Sequence, residues 1–227
     1  MASTAGHRDL GRALATWESK RNADNLLNLL FSIPMDYKPT DLSKLLTVLD
    51  IFLSQSSQWG IGESNEYLLF KQVECTEGVR LVLLNFSMTH HTQNDDAIIT
   101  RSLLANMDAI CHIASAAIDL ITECRRRGQT IGSVDFTDRF IGAALNIAGT
   151  LSAWGGNILT PVSDAFCTNR YAERLMTSLW AMNSTTNALC RPGEPPNFLR
   201  VENDLQYCHL LNSVHRYLLK PNRVMTL

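Results

Sequence analysis

The sequence predicts a single all-α domain spanning residues 1–227, and three observations carry that reading. Apolar residues recur at helical spacing in nearly every segment, strand-type alternation is scarce, and polar or Pro/Gly-containing clusters punctuate the chain at the ends of those segments. A length of 227 residues with 45% hydrophobic and 19% charged side chains is enough to bury one sizeable core. The spacing yields about seven to nine helices, arranged either as an α-solenoid or as an irregular multi-helix bundle.

From Leu10 to Phe31 the residues Leu10, Leu14 and Trp17, then Leu26, Leu27, Leu29 and Leu30, follow helical spacing around a polar middle at Lys20 to Asp24, predicting one or two helices that end before Pro34. Pro39-Thr40-Asp41 precedes Leu42, Leu45, Leu46, Leu49 and Phe52, so polar residues are placed to cap a second amphipathic helix. Residues 55–64, QSSQWGIGES, read as a loop. Leu68 to Met88 reads as helical with a break near Thr76 to Gly78, and HHTQNDD at 90–96 reads as a loop in which Asn94 or Asp95 caps the next helix. Ala97 to Arg127 is long for one globular helix, with a bend expected near Asn106. Its end is marked by Arg125, Arg126 and Arg127 before Gly128, cations at the negative helix terminus followed by a permissive residue. Further helices are expected over 136–154, after Pro161 through Leu175, Leu179, Trp180, Met182 and Leu189, and over 202–219 beyond the GEPPN loop.

Composition narrows the function classes. A net charge near −2 and a pI near 6.3 give no broad positive field for phosphate backbones. The opening residues MASTAGHRDLGRALATWESKR carry charge where a secretory peptide needs an apolar core. The longest apolar run, Leu103 to Ile121, is interrupted by Asn106, Asp108, His112 and Asp119, too polar for a lone bilayer span. Cys75, Cys111, Cys124, Cys167, Cys190 and Cys208 are scattered, most of them in apolar helical stretches, and are expected as buried free thiols. The expected location is intracellular, cytoplasmic or nuclear, with no membrane partner.

Three segments share a local texture: VRLVLLNFSM at 79–88, IGAALNIAGTLS at 141–152 and MTSLWAMNSTTNAL at 176–189, each with Asn set among apolar residues of an Ala- or Leu-rich helix. This resembles the third helix of armadillo repeats, within the armadillo/HEAT-like helical repeat superfamily, and covers about a third of the chain. The resemblance implies a concave groove in which Asn85, Asn146 and either Asn183 or Asn187 hold a partner's backbone. The grooves of that family that read basic import signals pair each Asn with a Trp one turn earlier, where this chain has Leu81, Gly142, Leu179 and Asn183, so a basic peptide is not the implied ligand.

Candidate chemistry is sparse. His90, His91, Asp95 and Asp96 bring metal-compatible groups together in sequence, but neighbouring loop positions diverge and no HExxH or second cluster completes a shell. Cys208, His209 and His215 lie on the last expected helix without further ligands nearby. No GxSxG elbow or glycine-rich phosphate loop occurs, so no catalytic residue, metal site or cofactor is assigned. Arg125, Arg126 and Arg127, with Arg101 and Arg139, form a candidate anion-binding patch. Trp154 and Trp180 sit at core spacing, whereas Trp59 in its Gly/Ser loop is a candidate contact residue. The expected function is a non-enzymatic helical scaffold or adaptor binding another protein as a complex subunit. The alternatives are a helical nucleic-acid-binding protein using the arginines and the basic C-terminal helix, and a small helical hydrolase or metal enzyme.

Overall fold

The computed structural model describes residues 9–34, 41–57, 65–88, 92–126, 142–144, 146–151 and 160–172. Among these, every regular element is helical and no strand occurs, so the chain is all-α. Six helices have full bounds: α1 Leu10–Ser19, α2 Ala23–Leu30, α3 Leu42–Ser57, α4 Asn65–Met88, α5 Gln93–Arg126 and α6 Thr160–Thr168. Residues 142–144, 146–151 and 170–172 are also helical. The helix expected after Pro161 is described only as far as residue 172, and the helix expected over 202–219 lies outside the described residues. The chain divides into two compact units, Met1–Ile99 and Thr100–Leu227.

In the first unit, the polar stretch after α1 is the junction between two helices. Asp9 caps α1 by accepting from Gly11 N (2.9 Å), and Asn22 caps α2 by accepting from Asn25 N (3.0 Å). Asn25 Nδ2 returns to Lys20 O at 2.7 Å, tying the end of one helix to the start of the next. The principal neighbours are α1 with α2, α3 with α4, α1 with α3, and α2 with α4. Their shared interior holds Leu14 and Trp17 of α1, Leu26 and Leu29 of α2, Leu45, Leu49 and Phe52 of α3, and Val79, Val82 and Phe86 of α4. Asp41 starts α3 as expected, accepting from Ser43 N at 3.0 Å. The helix then runs on through Ser57, so residues 55–57 are helical where a loop was expected.

One expected interruption is absent because its residues do other work, and one helix starts earlier than expected. Helix α4 passes without a break through Thr76 and Gly78. Thr76 Oγ1 donates back to Gln72 O (2.7 Å), and Gly78 leaves room for Phe52: a Cβ there would intrude on the Phe52 ring. The glycine serves close packing of α3 on α4, not a turn. Helix α5 begins at Gln93, earlier than expected, because Thr92 is its cap. Asp95 N donates to Thr92 Oγ1 (3.2 Å), while Thr92 N and Thr92 Oγ1 donate to Asp95 Oδ2 (3.1 and 2.7 Å). This reciprocal capping box replaces the cap expected from Asn94 or Asp95.

In the second unit, α5 continues helical through Asn106, whose Nδ2 donates to Ser102 O at 3.1 Å. Its inner face is Leu103, Met107, Ile110, Cys111 and Ala114, all buried. Ala143, Ala144, Ile147, Ala148 and Leu151 are also buried, as are Val162 and Phe166 of α6. Asn169 interrupts the helical run after α6, and its Oδ1 accepts from Tyr171 N (2.9 Å) and Ala172 N (3.2 Å), capping a new helical start. No helix among the described residues is long and apolar enough to cross a membrane.

Candidate functional site

The asparagines singled out by the sequence have inward business. Asn85 is 1% exposed, and its Nδ2 donates to Leu81 O within α4 and to Pro34 O beyond α2, both at 2.9 Å. It pins α4 to the turn that ends α2, and its Oδ1 is buried without a partner. In this fold the Asn85 amide is thus enclosed and engaged by its own chain. Asn146 is half-buried, with Nδ2 donating to Gly142 O at 2.9 Å. Asn183, Asn187, Trp59, Trp154 and Trp180 lie outside the described residues. So do His90, His91, Arg127, His209 and His215. Arg125 and Arg126 fall in the last turn of α5.

Two buried thiols are free, as expected. Burial is the main force pushing Cys75 up to about 12, with the neighbouring Glu74 charge adding to it, and burial likewise pushes Cys111 up to about 12 with Asp108 adding. Neither is a nucleophile near neutral pH. Glu74 itself is 5% exposed in α4 and its Oε2 has no hydrogen-bond partner. Desolvation raises its carboxyl to about 7; Asp24 of α2 pushes the same way and Lys71 opposes. Asp95, a candidate ligand in the sequence, is engaged in the α5 cap. Among the described residues no group of three or more His, Cys, Asp or Glu is placed to hold a metal ion.

Among the described residues, one surface that combines exposed charged and apolar side chains lies on the outer side of α5 in the second unit. Arg101, Leu104, Ala105, Asp108, Ala109 and His112 are all exposed and recur at three- and four-residue steps, so they share one helical face opposite the buried Leu103–Ala114 set. Leu104 is 41% exposed, a large aliphatic chain flanked along the helix by a cation on one side and an anion on the other.

Residues 169–171 build a shoulder beside the lower end of that face. Asn169 Nδ2 donates to Asp108 Oδ1 while its Oδ1 serves as the cap, so one amide fixes both the carboxylate and the helical start. The His112 and Tyr171 rings meet edge to face, centroids 5.2 Å apart at 86°. The Arg170 guanidinium sits 4.6 Å from the centre of the Tyr171 ring, and its Nη2 donates to Tyr171 Oη at 2.9 Å. The result is an open surface carrying charge of both signs, an aliphatic centre and an aromatic border, suited to another macromolecular surface.

Sequence reasoning passed over this site. Asp108 and His112 entered it only as polar interruptions of an apolar run, and Arg101 only as a companion to the arginines near residue 126. The available signals were the seven-residue interval from Arg101 to Asp108 and the capping residue Asn169, which the reading from Pro161 to Leu189 ran straight through. No protein-family model, curated protein or solved structure matches the chain.

Proposed function

We propose that the chain is a non-enzymatic helical scaffold that binds protein, as a subunit of an intracellular assembly, through the Arg101–His112 face of α5. The observation carrying this reading is the exposed Leu104 set between Arg101 and Asp108. Monomeric surfaces commonly carry isolated apolar residues, but an aliphatic side chain between opposite charges, on a face whose far end at His112 meets Tyr171, has the composition of an interaction patch.

For the first unit the architecture we propose is a stack of paired helices of the armadillo/HEAT-like kind. Support comes from its neighbour pattern: α1 pairs with α2 and α3 with α4, while first members touch first members and second touch second. That order-preserving stacking is what repeat proteins use to extend a core.

A photo-crosslinking amino acid placed at Leu104, in cells that express the chain, tests the function. The reading expects a discrete protein adduct from position 104 that a probe at the exposed Glu18 does not give. Identical adducts from both positions, nucleic-acid adducts alone, or none would overturn it.

A further inference from the structure

We propose that the occupant of the α5 face is a second copy of this chain, packed antiparallel about a two-fold axis that passes between Leu104 and Ala105. This deepens the protein-binding reading above and rests on it.

The face is complementary to itself. Arg101 and Asp108 are seven residues apart, so they lie on nearly one line of the helix, roughly 10 Å apart at about 1.5 Å of rise per residue. A two-fold axis at their midpoint reverses that line. Arg101 of each copy then stands level with Asp108 of the other, giving two reciprocal ion pairs from a single face, as an isologous interface requires. At the axis Leu104 of one copy stands level with Ala105 of the other, large against small, which lets the helices approach. A parallel pairing would set Arg101 against Arg101 and Asp108 against Asp108, so charge selects the antiparallel arrangement.

The neighbouring shoulder supports the same geometry. Asn169 Nδ2 donates to one oxygen of Asp108 and so holds the carboxylate beside the face. An ionised carboxylate has about four acceptor positions, so it keeps capacity for an arriving guanidinium. Three helical turns form a small interface of the weak class below about 1,200 Å², so a dissociation constant at the weak, micromolar end of the range is expected.

Sedimentation equilibrium of the purified full chain, at concentrations spanning the micromolar range and at low and high salt, tests the seam. Wild type is expected to pass from monomer to dimer with concentration, more weakly at high salt. Arg101→Asp and Asp108→Arg should each weaken association by about tenfold or more, since each sets like charges level across the axis, and the double variant should restore it. Ala105→Glu, which leaves the Asp108–Asn169 bond untouched, should give monomer with unchanged helical circular dichroism, so a charge variant that misfolds does not remove the test. A wild type that stays monomeric at low salt, a double variant as weak as the single ones, or an Ala105→Glu chain that still dimerises would overturn the proposal. Monomeric wild type whose Leu104 probe captures a different protein would overturn the seam and leave the scaffold reading standing; no adduct at all would remove that reading as well.

Discussion

Replacing Glu74 with glutamine should make the protein more stable as pH rises, by an amount the structure sets. Its carboxyl lies on α4 at 5% exposure with Oε2 unpartnered, and burial lifts it from an ordinary 4.5 to about 7. Below pH 4.5 the group is protonated in both folded and unfolded chains and costs nothing. Between about 4.5 and 7 the unfolded chain ionises first, so protons favour the folded state and stability falls as pH rises. Above about 7 both forms are ionised and the cost is constant. At about 1.4 kcal/mol per tenfold change in proton affinity, that plateau is about 3 kcal/mol. Glu74→Gln cannot ionise, so its advantage over wild type should be small at pH 4.5 and grow to about 3 kcal/mol by pH 8. Urea unfolding of both proteins across that range measures the difference, with hydrogen exchange of α4 amides reporting the first unit by itself. Taking the difference between the proteins removes every titrating group that does not interact with Glu74. Parallel stability curves for wild type and variant would refute the reasoning, because a carboxyl with access to water in the folded state behaves that way.

Gly78→Ala should cost about 1–3 kcal/mol in urea unfolding, since its methyl group meets the Phe52 ring across the α3–α4 contact. Phe52→Leu in that background should recover part of the loss, which a simple helix-propensity effect would not allow. Thr92→Ala removes the hydroxyl that accepts from Asp95 N and should cost about 1 kcal/mol by thermal unfolding. Asn85→Ala frees the carbonyl of Pro34 and should cost about 1–3 kcal/mol, while capture at the Leu104 probe, scaled to folded protein, stays unchanged. Cys75 and Cys111 should resist a thiol reagent at pH 8 in the native protein and react in urea; native labelling of either at the rate of a free thiol would contradict their burial.

The fold class was legible because α1, α2 and α3 have clean apolar stripes and polar caps. Local pattern also located the junction after α1, although only the structure shows Asn22 and Asn25 splitting it into two helices. Gly78 misled the reading because a glycine demanded by close helix packing looks, in one dimension, the same as a glycine demanded by a turn. Only the position of Phe52, from another helix, tells them apart. Thr92 was overlooked in favour of Asn94 and Asp95 because all three are good capping residues, and the reciprocal bond to Asp95 depends on which backbone enters the helix first. The α5 face was present as spacing but unread, since a seven-residue charge interval gains meaning only once the intervening residues are known to be exposed.

The asparagine texture shows why a resemblance carried by residue type stops short of function. In a groove, an asparagine amide holds a partner's backbone carbonyl; inside a fold, the same amide holds a carbonyl of its own chain. Asn85, Asn106 and Asn146 each reach the carbonyl four residues back, and Asn85 adds that of Pro34. What separates the two uses is whether a second segment of the chain already supplies the carbonyl. Where one does, as Pro34 does for Asn85, polar selectivity has gone into fixing the register of the fold. Along Arg101, Leu104 and Asp108, by contrast, charge and apolar surface stay open together, with no second segment of the described chain closing over them.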